Sequence, residues 1–271
     1  MSAVAAIPAL EIDDLSVTFG HGAKAVTAVR RVSIDVPVGH TVGLVGESGS
    51  GKSTIAKAAV GIVTPSAGRI LLGGVDLGTL GHGDQAVARR RLQLIPQDPY
   101  SSLSPRRTIG ETMAEALDPV RASVGRHRDR IVHWLEAVKL DADSLVRYPH
   151  EFSGGQRQRV AIARALAVEP QVVIADEITS ALDVSVQAEI LALLVQLREE
   201  LDLTMLFISH NLAVVRQVCD RTAVLYRGDL VESGDTVAMF ADPQHDYTRT
   251  LLAAVPGSAL MTLDQPSSRD R

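Results

Sequence analysis

Gly46-Glu47-Ser48-Gly49-Ser50-Gly51-Lys52-Ser53-Thr54 follows an apolar run at residues 41–45 and precedes a helix-like run at residues 55–60. Strand, glycine-rich loop and helix together are the context in which G-x-x-x-x-G-K-[ST] cradles a phosphate chain. The glycines let backbone N–H groups turn inward, and the start of the helix adds partial positive charge. Lys52 brings a full charge to β- and γ-phosphates, and the Ser53 hydroxyl is placed to ligate Mg²⁺. The loop implies nucleotide binding. Alone it does not separate a GTPase from a kinase, a helicase or another enzyme built on the same cradle.

Outward from the loop, short β-branched runs at residues 32–36, 41–45, 92–95, 172–175, 204–209 and 222–226 read as strands, with helical patterns between many of them. Runs such as Val172-Val173-Ile174 are apolar on both faces, which predicts an α/β protein with a largely parallel sheet covered by helices. Residues 10–38 alternate more loosely around a Gly/His turn at 20–22 and read as an antiparallel β-region. From 97 to 156 the strand signal disappears. Helical patterns at 109–117 and 128–140, broken by Pro119 and Pro149, predict a helical subdomain inserted into the core. Two short helical stretches follow Gly234, at 237–240 and 247–255, and a polar tail at 265–271 is expected to be disordered. The expected divisions are a first part of the core at 1–96, a helical subdomain at 97–160, a second part of the core at 161–234 and an extension at 235–271.

The 271 residues are 46% hydrophobic and 22% charged, which suits one large α/β domain or a core with a sizeable insertion. Lys and Arg total 27 against 32 Asp and Glu, and the net charge of -5 gives no general pull toward DNA, RNA or anionic lipid. No apolar run approaches the roughly 18 to 20 residues that span a bilayer. The first fifteen residues lack a basic n-region and carry Glu11, Asp13 and Asp14, so neither membrane crossing nor export is expected. The single cysteine, Cys219, excludes an intramolecular disulfide and fits a reducing cytoplasm; its place after an apolar helical stretch reads as a buried free thiol.

A cradle of this kind needs a carboxylate at the end of a neighbouring strand to hold Mg²⁺, and the run ending in Asp176 supplies it. Glu177 would then project toward the γ-phosphate, where a carboxylate orients and polarises water; adjacent acids after a strand also serve as helix N-terminal charge. His210 follows a second apolar strand and can hydrogen-bond a γ-phosphate, although a lone histidine there also serves as a turn residue. Phe152-Ser153-Gly154-Gly155-Gln156-Arg157-Gln158-Arg159 opens the helix-like run 160–167. A Ser cap, two glycines and a helix start make a second anion-binding nest with no lysine of its own, or simply a capped helix. Two phosphate-binding surfaces and one nucleotide leave a subunit incomplete unless a second copy faces it.

Ser153-Gly154-Gly155-Gln156-Arg157-Gln158-Arg159, Asp176-Glu177 and Ser180-Ala181-Leu182-Asp183 resemble the signature, Walker B and D-loop of ABC ATPases over nearly the whole chain. The resemblance implies a P-loop RecA-like core with an N-terminal antiparallel β-region and an inserted helical subdomain. It implies that Ser153, Gly154, Gly155 and Gln156 complete the ATP site of the opposite subunit, and that Asp183 communicates between sites. It further makes Gln97 the glutamine that contacts Mg²⁺ or water and senses the transporter, and Phe19 the residue that stacks on adenine.

A narrower likeness lies in Gln97-Asp98-Pro99-Tyr100-Ser101-Ser102-Leu103-Ser104-Pro105-Arg106, in Tyr148-Pro149-His150-Glu151-Phe152-Ser153, and in Asp183-Val184-Ser185-Val186-Gln187. With the tail His245-Asp246-Tyr247-Thr248-Arg249-Thr250-Leu251-Leu252, these resemble the ATPases of bacterial oligopeptide, dipeptide and nickel importers. That likeness implies an ATP- and Mg²⁺-dependent translocase at the cytoplasmic face of the inner membrane. Its implied partners are a second ABC ATPase subunit, identical or paralogous, two transmembrane permease subunits and, indirectly, an extracytoplasmic substrate-binding protein. Peptide is the first expected cargo and nickel or a metal chelate the second; the rival reading is a soluble ABC ATPase without a transport role. Two positions depart from the family pattern: Ile178 and Asp246 stand where it usually has proline. Isoleucine at the first could loosen the turn after Glu177.

Overall fold

Thr41–Val45 is buried at every position, as the middle strand of a sheet covered on both sides must be. A computed structural model describes residues 6–254 and places this strand, β3, at the centre of a six-stranded sheet. The other members are β6 (Leu92–Ile95), β7 (Val172–Asp176), β8 (Met205–Ile208), β9 (Arg221–Tyr226) and β10 (Asp229–Asp235), in the order β10-β9-β3-β8-β7-β6. All neighbours pair in parallel except β9 and β10, which form an antiparallel hairpin.

Alternate residues of these strands serve two cores, which is why the runs are apolar throughout. Val42, Leu44, Val172, Ile174, Leu206, Ile208 and Leu225 face one side, and Val173, Ala175, Met205, Phe207 and Val224 face the other. Each fully buried Leu or Ile here contributes about 1.5–3 kcal/mol.

The first side is covered by α1 (Lys52–Ala59) and by a second, antiparallel sheet of β1 (Leu10–Phe19), β2 (Val26–Val36), β4 (Ala67–Leu72) and β5 (Val75–Asp76), ordered β2-β1-β4-β5. The looser alternation at 10–38 thus marks only half of that sheet. β4 and β5 arrive after α1, and β4 escapes a periodicity reading because only Ile70 and Leu72 in it are buried.

The other side is helical. After α2 (His82–Arg90) and β6 come α3 (Pro99–Ser102), α4 (Ile109–Leu117), α5 (Val124–Ala137) and α6 (Gly154–Leu166). α4 opens with a capping box: Glu111 N–H donates to Thr108 Oγ1 across 3.2 Å and Thr108 N–H to Glu111 Oε2 across 2.8 Å. Ile109, Met113, Ile131, Trp134 and Leu135 close the core between α4 and α5. α5 begins four residues before the expected 128, because Ser123 caps it, and ends at Ala137 rather than 140. α6 is continuous across residue 160, since its first turn is Gly154-Gly155-Gln156-Arg157 itself.

α7 (Val184–Leu201) leads into β8, and α8 (Leu212–Val218) lies against β3. Gly43 sits under α8: a Cβ there would meet Val215 Cγ1 at 2.9 Å and Cys219 Sγ at 3.0 Å. Cys219 is the expected buried free thiol. α9 (Thr236–Ala241) and α10 (Asp246–Ala253) close the described chain; the tail expected to be disordered, 265–271, lies outside the described residues.

Candidate functional site

The glycine-rich loop leaves the end of β3 and turns directly into α1. Gly46, Gly49 and Gly51 have φ of 148°, 79° and 110°, a region that side-chain-bearing residues avoid. At two of them space as well as torsion demands glycine: a Cβ on Gly46 would collide with the Leu225 carbonyl, and one on Gly51 would lie 2.6 Å from the Ala28 carbonyl. On Gly49 it would meet nothing, so only the torsion matters there. α1 starts at Lys52 with no side-chain cap, which leaves the unpaired N–H groups of a helix start at the loop.

Lys52 is buried, and its ammonium donates to the carbonyls of Gly46 at 2.8 Å and Glu47 at 2.9 Å. Burial pushes its pKa down against the opposing pull of the Glu177 and Asp176 carboxylates. Ser53 Oγ donates to Asp176 Oδ1 at 3.0 Å. Asp176 is the last residue of β7; burial raises its pKa, the Ser53 hydrogen bond lowers it and the neighbouring Glu177 raises it further.

Glu177 leaves the strand with φ of 46°, its N–H donating to Ile208 O of β8 at 2.9 Å. That sharp turn sets its carboxylate between two side chains, 3.7 Å from the Lys52 ammonium Nζ and 3.4 Å from the His210 ring Nδ1. With Ile178 in place of the pattern's proline, the turn after Glu177 is still closed. The Ile178 side chain is only 2% exposed within the core, and Ser180 closes the turn by donating its N–H at 3.0 Å and its hydroxyl at 2.9 Å to Glu177 O.

Gln97 reaches the same place from the helical side, donating from Nε2 to Ser180 Oγ at 3.1 Å. Ser180 therefore bridges Gln97 to the Glu177 backbone, a role that motif spacing alone does not reveal. Residues 48, 49 and 51–54 of the loop, with Gln97 and Glu177 opposite and Ala28 at the rim, line a concavity of about 210 Å³. The structure thus gathers the lysine loop, Asp176, Glu177, His210 and Gln97.

Six expected site residues, Ser153, Gly154, Gly155, Gln156, Asp183 and Phe19, lie outside this concavity's lining. Ser153 caps α6 in a reciprocal box: Gln156 N–H donates to Ser153 Oγ at 3.3 Å, and Ser153 N–H donates to Gln156 Oε1 at 3.0 Å. Gly154 packs beneath Leu182, just before α7, and Gly155 beneath Val186 in its first turn, where a Cβ on Gly155 would lie 2.5 Å from Val186 Cγ1. Asp183 is exposed and precedes α7 without a side-chain capping bond. Phe19, 46% exposed, stands at the end of β1 outside the concavity's lining.

The donor set suits a hard divalent cation with phosphate oxygens completing its shell. Among the described residues no group of three or more His, Cys, Asp and Glu could hold a metal. Ser53 and Asp176 offer one hydroxyl and one carboxylate side by side, the small protein share that Mg²⁺ takes at nucleotide sites.

The ABC transporter family description matches residues 29–180, more than half of the chain, and the chain belongs to that family. It is an ATP-hydrolysing cassette of the ABC type. A Brucella ovis protein named as a peptide import ATP-binding protein is 48% identical over 250 residues, 92% of this chain and 79% of that one. The glutathione import ATP-binding protein GsiA of Escherichia coli (strain K12) is 50% identical over 234 residues, which are 86% of this chain and 38% of that longer protein. Among solved structures, the dimeric post-hydrolysis state of the ATP-binding cassette MJ0796 bound to ADP and Pi superposes with a TM-score of 0.74 at 28% identity, covering 84% of this chain and 98% of that one. Clostridium perfringens cbiO1, part of the ABC transporter complex cbiONQ, gives 0.76 at 26% identity over 94% and 99% of the two chains.

Proposed function

We propose that this chain is the ATP-hydrolysing subunit of a peptide importer. It pairs head to tail with a second ABC ATPase, identical or paralogous, and drives two transmembrane permease subunits fed by an extracytoplasmic substrate-binding protein. Among the described residues no helix is long and apolar enough to cross a membrane, so attachment at the cytoplasmic face of the inner membrane runs through the permease. Relatives named for peptide and glutathione import support the cargo, glutathione being itself a tripeptide.

The observation that carries the reading is the Glu177 carboxylate held between Lys52 and His210, above the Ser53 and Asp176 pair. Lys52 exchanges its two backbone carbonyls for the β- and γ-phosphates. Ser53 and Asp176 would hold Mg²⁺, which when bound would supply charge neutralisation at the phosphate oxygens. Glu177 orients and polarises the attacking water, and His210 donates to the γ-phosphate. Ser153, Gly155 and Gln156, none of which lines the concavity at this chain's own loop, close on the partner's ATP. Gln97, bonded to Ser180, relays closure to the helical segment 97–160, and Asp183 relays it between sites.

Cells in which Lys52→Ala replaces the native chain should lose uptake of labelled peptide and keep uptake of labelled nickel. Unchanged peptide uptake, or loss of nickel uptake alone, would refute the cargo.

A further inference from the structure

Tyr247, in the first turn of α10, packs its ring on Tyr226 at the end of β9, with centroids 4.2 Å apart. Its hydroxyl accepts the backbone N–H of Glu47 at 3.0 Å, 200 residues earlier and inside the phosphate loop. The carbonyl of that same Glu47 accepts Lys52 Nζ at 2.9 Å and Ser50 N–H at 3.2 Å. One residue of the loop is therefore held by the C-terminal helix from outside and by the lysine from inside.

The outer hold is itself braced by hydrogen bonds. Tyr247 N–H donates to His245 Nδ1 at 3.1 Å, and the N–H groups of Gln244 and His245 donate to the Glu232 carboxylate at 2.8 and 3.0 Å. Arg249 donates to the carbonyls of Pro243 and Gln244, each at 3.0 Å. Glu232 lies in β10, and the turn joining β9 to β10 grips the loop a second time, Gly228 N–H donating to Ser50 O at 2.9 Å.

We infer that Tyr247 is a positioning residue: through the Glu47 backbone it keeps the phosphate loop and Lys52 in their binding arrangement, so the C-terminal helix sets nucleotide affinity. The inference rests on the reading that Lys52 binds the phosphates. A loop whose glycines at 46, 49 and 51 leave it intrinsically free loses one external hydrogen bond when the hydroxyl is removed, and ordering it falls to the nucleotide. The loop keeps one shape in ground and transition states, so the loss falls on binding and not on the chemical step.

Tyr247→Phe keeps the ring on Tyr226 and removes only the acceptor. In the full chain it should raise both Kd and KM for Mg-ATP about three- to tenfold, the size of one neutral hydrogen bond, with kcat within about twofold and the nucleotide-free thermal midpoint lowered by no more than about 4 °C. A role in packing alone would leave Kd and KM as they are. Kd and KM within about 1.5-fold of the parent would overturn the inference. Lys52→Ala separates the two layers: ATP binding that survives it removes the underlying reading, whereas binding lost there and unchanged in Tyr247→Phe removes only the role of Tyr247.

Discussion

Ser53 and Asp176, 123 residues apart, meet across a 3.0 Å hydrogen bond in which the hydroxyl donates to the carboxylate. The pair ties the start of α1 to the end of β7, and it buries a carboxylate that burial holds above its ordinary pKa. A raised carboxylate binds its proton more tightly in the folded state, so its ionisation opposes folding as pH rises through the folded pKa. Asp176→Asn removes that opposition while keeping an oxygen to accept from Ser53. Without nucleotide the variant should melt higher than the parent at neutral pH, by calorimetry. Its Mg²⁺-dependent ATPase should fall by about a hundredfold or more, because the carboxylate proposed to hold the metal is gone.

Glu177 lies within reach of the Lys52 ammonium and the His210 ring, and its strained φ of 46° aims it. Glu177→Gln preserves shape and removes the charge that polarises water. Turnover should drop about 10²- to 10⁴-fold while ATP affinity is retained, so that an ATP-bound dimer accumulates in size-exclusion runs. Turnover near that of the parent would remove Glu177 from the role.

Gly155 is confined by Val186, whose Cγ1 would lie 2.5 Å from an added Cβ. Gly155→Ala should therefore cost about 1–3 kcal/mol in chemical denaturation. Adding Val186→Ala should restore most of that loss, a non-additivity expected only of side chains in direct contact.

Asp220 Oδ2 accepts Thr41 N–H at 2.7 Å and the Arg198 guanidinium at 2.6 Å, tying the end of α7 to β3 and β9. Burial pushes its pKa up, but these hydrogen bonds and the Arg198 charge outweigh it and leave it lowered. A depressed carboxylate stabilises the fold above its unfolded pKa of about 3.9, and that contribution fades as pH falls through the lower folded value. The thermal midpoint should thus fall more steeply between about pH 5 and pH 3 in the parent than in Asp220→Asn.

Much of this molecule is legible in local pattern. The loop 46–54 announces itself because its chemistry needs contiguous glycines and a lysine, and β3 and β7 because two-sided burial leaves no polar position. α6 hides its true start since glycines lower helix propensity, and only the Ser153 box and the packing of Val186 hold them helical. β4 hides because its partner, β1, lies more than fifty residues earlier and buries just two of its side chains. Ser180 and Tyr247 carry no local signal for their roles: the first depends on Gln97 and the second on Glu47, each distant along the chain. Asp246, a departure from the expected family pattern, stands as a first-turn acid of α10 paired with Arg249.

Head-to-tail sharing of one nucleotide is tested most directly by complementation in the Glu177→Gln background. Lys52→Ala removes the phosphate cation, and Ser153→Arg blocks the nest, so neither variant alone should form an ATP-trapped dimer. Mixed, they leave one intact site, built from the lysine loop of one chain and the serine nest of the other. The mixture should elute as a dimer carrying one ATP per two chains; a mixture that stays monomeric, or a Ser153→Arg variant that dimerises unaided, would contradict the shared site.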